Sequence, residues 1–82
     1  MTDVEEVIRR VDNLKEEQSV PSNVQHVLET FIAELSDSST ELSVRVNTGA
    51  SLLDQVSSDP NLPQHIRTEI WNIASKLESV DG

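Results

Sequence analysis

The chain repeats its own pattern of apolar and turn residues at a spacing of 42, and that repeat most constrains its fold. Val20-Pro21 returns as Leu62-Pro63, Val24 as Ile66, Leu28 as Ile70, Phe31 as Ile73 and Leu35 as Leu77. Ahead of the proline turn, Val11 and Leu14 return as Leu53 and Val56. Each half therefore reads as an apolar helix, a proline turn and a second apolar helix. An αα-hairpin with one apolar face cannot hide that face alone, and two such hairpins hide theirs against each other.

Four segments carry apolar residues at helical spacing. Val4, Val7, Val11 and Leu14 mark the first, predicted over about 3–17 with Thr2 or Asp3 as its cap. Glu5 with Arg9 and Glu6 with Arg10 are four apart and of favourable sign. Val24, Leu28, Phe31 and Leu35 mark the second, over about 21–35. Ser36-Asp37-Ser38-Ser39-Thr40 is a turn that supplies caps, and the third segment is placed over about 40–57. Its stripe is Leu42, Val46, Gly49, Leu53 and Val56. A glycine inside a helix costs about 1 kcal/mol relative to alanine, so Gly49 implies a close helix–helix approach. Asp59-Pro60-Asn61-Leu62-Pro63 opens the fourth, over about 63–80, with Ile66, Ile70, Ile73, Leu77 and Val80. The expected fold is all-α, a single domain over 1–82 forming an antiparallel four-helix bundle from two similar hairpins.

Composition narrows function. Val, Leu, Ile and Phe fill 24 of 82 positions, above the level of about 20 % below which disorder is the default. Cysteine is absent, which excludes disulfides, thiolate metal sites and thiol catalysis and leans toward a reducing cytoplasm. The acidic start is no signal peptide, and no apolar run reaches the roughly 20 residues of a membrane span. Six basic residues stand against fifteen acidic ones, for a net charge of -9. That balance disfavours nucleic acid and anionic membranes, both of which are held through Lys and Arg.

Chemistry is sparse. The serines fall in turns, with no nucleophile elbow, and the two glycines form no phosphate loop. We therefore expect no enzymatic activity and no cofactor. A metal- or small-ligand-binding bundle would have to use His26, His65 and nearby carboxylates such as Glu29 and Glu69. Three residues fit a plain bundle poorly. On a helical wheel Trp71 lies about 140° from Ile66, off the core stripe, and Val44 lies about 200° from Leu42. Arg67 sits one turn before Trp71, where its guanidinium could cover the indole or hold the turn to the bundle. Trp71, Arg67, Val44 and Arg45 form the candidate patch for a protein partner or for self-association in a homodimer, since Trp and Arg are favoured interface anchors.

Leu42-Ser43-Val44-Arg45, Leu53-Asp54, Asp59-Pro60-Asn61-Leu62-Pro63, Arg67-Thr68 and Ile70-Trp71-Asn72-Ile73 resemble the archaeal uncharacterised protein family zero one four seven. Ser19-Val20-Pro21 and the helix after it extend the likeness over the chain. The resemblance implies a bromodomain-like four-helix bundle in an archaeal cytoplasm, and no activity or ligand residues. Members favour more basic residues, and the shortage of lysine here departs from that pattern. Asp59-Pro60-Asn61-Leu62-Pro63 with Ile66-Arg67 also resembles the turn of a HEAT repeat, but two units are too few for a free solenoid.

Overall fold

The computed structural model describes residues 3–80. Four helices follow one another: α1 (Val4–Lys15), α2 (Ser22–Leu35), α3 (Leu42–Ser57) and α4 (Gln64–Glu78). Each packs on its chain neighbours, and α4 packs back on α1, which closes a ring. Helices across the ring do not approach one another among the described residues. The connections cover residues 16–21, 36–41 and 58–63. Links this short turn each helix back along its predecessor, so neighbours run antiparallel. The radius of gyration is 11.7 Å.

The 42-residue repeat survives in the helix ends. Ser22 and Gln64 open α2 and α4 at equivalent positions, and Lys15 and Ser57 close α1 and α3 likewise. α3 begins a turn earlier than the repeat of α1 would place it. α1 and α4 both stop two residues short of the periodicity. Glu16 and Glu17 donate to the carbonyls of Asn13 and Leu14, three residues back, and Ser79 and Val80 do the same to Lys76 and Leu77. This tighter winding ends a helix rather than extending it.

The start of each helix is organised differently. Asp3 caps α1, its carboxylate accepting from the Glu6 N–H at 2.8 Å. Thr2, the other expected cap, lies outside the described residues. Of the two expected ion pairs, Glu6 and Arg10 meet at 3.7 Å. Pro21, Glu41 and Pro63 stand at the N-caps of α2, α3 and α4, none with a side-chain cap bond. Ser39 and Thr40 do not cap α3, because the helix starts at Leu42 and puts Glu41 at the N-cap; their hydroxyls donate to Asp37.

Every predicted stripe faces inward. Val7, Val11, Leu14, Val24, Leu28, Phe31, Leu35, Leu53, Val56, Ile66, Ile70, Ile73 and Leu77 are buried, joined by Val20, Leu62 and Val80 from outside the helices. Leu42 and Val46, near the start of α3, are only half-buried. The buried set includes no polar or charged side chain among the described residues. Gly49 is buried where the Phe31 ring meets α3: a Cβ there would lie 2.8 Å from Phe31 Cε2 and 3.3 Å from Leu77 Cδ2. The close approach expected from its position is present, and an aromatic edge from α2 makes it.

Candidate functional site

The three connections share one construction, which decides what Arg45 and Arg67 do. A helix leaves its last carbonyls without intrahelical partners. Here the fourth residue of the next helix reaches back to the last residue of the one before. Gln25 Nε2 donates to the Lys15 carbonyl at 2.9 Å. Arg45 donates through Nη1 to the Leu35 carbonyl at 2.9 Å and through Nε to Thr40 at 2.9 Å. Arg67 donates through Nε to the Ser57 carbonyl at 3.0 Å and through Nη2 to Asp59 at 2.9 Å, with Nη1 3.3 Å from Gln64 Oε1. Both arginines are half-buried. Arg67 thus holds its turn through main-chain carbonyls, not through an ion pair with a carboxylate.

Within each connection a turn closes by a backbone bond. Val20, Thr40 and Leu62 donate to the carbonyls of Glu17, Asp37 and Asp59, at 3.1–3.2 Å. Where the turn opens with aspartate, the side chain joins in. Asp37 accepts from the Ser39 hydroxyl and N–H and from the Thr40 hydroxyl. Asp59 accepts from the Asn61 N–H at 2.8 Å and, across the end of the bundle, from Asn23 Nδ2 at 2.7 Å. Nearby, Ser19 Oγ of the first connection lies 3.3 Å from His65 Nε2 at the start of α4, a second tie across this end of the bundle.

These bonds hold both carboxyls below the usual range. For Asp37 the Ser39 hydroxyl is the main cause, and for Asp59 the Asn61 N–H, with smaller help from Arg45 and Arg67. A carboxyl whose folded pKa is depressed stabilises the fold at pH values above its unfolded pKa, and loses that effect as pH falls through the folded value. Asp59→Ala should therefore be less stable than the parent at neutral pH. Denaturant titrations at falling pH should show the gap closing below about pH 4, the ordinary aspartate range.

The histidines do not come together. His26 is 81 % exposed, with Nδ1 3.7 Å from Glu29 Oε1 on its own helix, whereas His65 faces Ser19. No three His, Cys, Asp or Glu side chains converge among the described residues.

Two large apolar side chains are exposed among the described residues, Val44 at 48 % and Trp71 at 54 %. They are the two that the helical wheel turned outward. Trp71 stands over a groove of about 180 Å³ between α3 and α4, lined also by Ala50, Leu53, Asp54, Ser57, Ala74 and Glu78. Val44 does not line it. Of the four residues singled out from the sequence, then, Trp71 stands at the groove, Arg45 and Arg67 serve the connections, and Val44 lies apart in the first turn of α3. Sequence reasoning missed Asp54 and Glu78. Each stands four residues after an alanine, but that spacing carries no signal until the alanines are placed at the groove.

The architecture defined so far is a small closed four-helix bundle with a wholly apolar interior and one aromatic groove. The chain belongs to the Uncharacterised protein family (UPF0147), whose model matches residues 1–80. A relative from Archaeoglobus fulgidus is 39 % identical over 77 residues, covering 94 % of this chain and 87 % of the relative. One from Pyrococcus abyssi is 35 % identical over 85 residues, covering 98 % and 99 %. The crystal structure of a UPF0147 protein from Thermoplasma acidophilum superimposes with a TM-score of 0.88 at 39 % identity, covering 94 % of this chain and 91 % of that one. A second crystal structure, of a protein of unknown function, gives a TM-score of 0.89 at 33 % identity, covering 96 % and 90 %. No helix among the described residues is long and apolar enough to cross a membrane.

Proposed function

We propose that this chain is a small non-enzymatic helical protein that docks another protein within a cytoplasmic assembly, through the flank of α4 that carries Trp71. The observation that supports this reading is the exposure of the indole. Every other large apolar side chain among the described residues except Val44 is buried or half-buried. Trp is the residue type most enriched at the centres of protein interfaces, where it fills a pocket and excludes water. Its exposure over a groove leaves a sizeable apolar area in water, which a partner would cover. The absence of cysteine accords with a reducing compartment.

The test is Trp71→Ser together with a photo-crosslinker at Ser75, one turn along the same flank. The variant should fold, with its thermal midpoint changed by only a few degrees, since a half-exposed side chain contributes little burial. In native lysate, crosslinks to a stoichiometric partner should form from Ser75, not from Arg9 on α1, and should be lost with Trp71→Ser. Unfolding of the variant without a separable binding defect, or equal crosslinking from Ser75 and Arg9, would remove the proposal.

A further inference from the structure

We infer that the Trp71 groove receives an arginine side chain from a basic segment of a partner protein. The inference rests on the docking reading above and supplies its chemistry. Ala50 on α3 and Ala74 on α4 keep the groove open, because neither carries a side chain beyond Cβ. Asp54 lies one turn beyond Ala50 and Glu78 one turn beyond Ala74, so each alanine is followed by a carboxylate at the groove. Neither carboxylate has an ion-pair partner within 4.0 Å among the described residues. The cation that approaches from the Ser57 end, Arg67, is bound to the carbonyls of Ser57 and Asp59. Lys76 on the same helix pairs instead with Glu6 of α1, at 3.4 Å.

An indole that lines the same groove as unpaired carboxylates is a setting that suits a guanidinium. The ring attracts the cation. A carboxylate accepts two parallel N–H bonds from the planar fork. The apolar stem of arginine can lie along the two alanines. Size points the same way, because about 180 Å³ holds one long side chain and falls short of the about 300–1,000 Å³ of small-molecule sites. The charge of the whole chain, -9, draws a basic segment in and repels a second copy.

Trp71 is the only tryptophan and tyrosine is absent, so emission excited in the indole band reports the groove alone. The probe is a blocked Gly-Arg repeat octapeptide, titrated at low salt beside its Gly-Lys and Gly-citrulline counterparts. The Arg peptide should change the emission saturably, the Lys peptide more weakly, and the neutral citrulline peptide not at all. The double variant Asp54→Asn/Glu78→Gln should bind the Arg peptide about tenfold more weakly, a loss of roughly 1.4 kcal/mol. Glu5→Gln/Glu34→Gln, which removes the same charge elsewhere, should bind like the parent to within about twofold. Flat emission, or equal weakening in both double variants, overturns the inference, the latter by reducing it to general attraction for an acidic surface. The two readings fail separately. Saturable, Asp54- and Glu78-dependent peptide binding without Ser75 crosslinks keeps the groove chemistry and removes the docking role. Crosslinks that survive Asp54→Asn/Glu78→Gln, with no peptide signal, keep the docking role and remove the arginine.

Discussion

Gly49→Ala will destabilise the bundle by about 1–2 kcal/mol, although the same exchange in an exposed helix stabilises by up to about 1 kcal/mol. The added methyl would stand 2.8 Å from Phe31 Cε2, well inside ordinary contact, and 3.3 Å from Leu77 Cδ2, just inside it. Phe31 is fully buried between α2 and α3, and Leu77 is fully buried as well, so neither side chain has free space to retreat into. Overpacking of this kind costs about 1–3 kcal/mol as helices move apart or side chains leave their rotamers. That exceeds the helical gain. In a domain of this size each kcal/mol moves the melting temperature by roughly 4–8 °C, so thermal denaturation resolves the effect. The Phe31→Leu background supplies the control. With the ring edge removed, Gly49→Ala should become neutral or stabilising, and a double-mutant cycle should show a coupling well above its error. An alanine equally harmful in both backgrounds would show that Phe31 is not what keeps the glycine.

Arg67→Met will lower stability by about 1.5–3 kcal/mol, within the range for hydrogen bonds to a charged group. Methionine keeps the stem and removes the bonds to the carbonyls of Ser57 and Asp59. Arg67→Lys should recover little of the loss, because an ammonium at the end of a flexible chain does not reproduce a planar fork that reaches two carbonyls at once. The three equivalent residues should rank by chemistry. Arg45→Met should cost nearly as much as Arg67→Met, and Gln25→Met only about 0.5–1.5 kcal/mol, the range for a neutral bond. Denaturant unfolding of the three variants gives the order, and equal losses would mean that the loop carbonyls are rehydrated freely whichever donor is removed.

How far the sequence could be read follows from which interactions are periodic. The helices, the buried stripe of each and the outward turn of Trp71 and Val44 all follow from a repeat of about 3.6 residues, and all four helices stand where that repeat put them to within about two residues. Gly49 was legible because it interrupts an apolar stripe. The reach of Gln25 and Arg45 was not, since a side chain meeting a carbonyl ten residues earlier belongs to no helical period, and for Arg67 the sequence suggested a hold on the turn without its carbonyl partners. Arg45 and Arg67 therefore looked like surface anchors. Their common position, fourth in each helix, shows only once the helix starts are known. Ser39 and Thr40 looked like caps for α3 because serine and threonine favour that role, but the helix starts at Leu42, which puts Glu41 at the N-cap and leaves both hydroxyls to donate to Asp37. The groove was missed for another reason. Nothing in the sequence marks Ala50 or Ala74, because two small residues on different helices reveal a gap only when the pairing of α3 with α4 is known.

The apolar interior has a consequence for how such a chain can change over evolutionary time. No ionisable side chain is buried among the described residues, so exchanging acidic for basic groups on the outside strands no charge within. Relatives that keep only 33–39 % of the residues still superimpose with TM-scores of 0.88 and 0.89. The charged coat can therefore change without disturbing the packed framework beneath it.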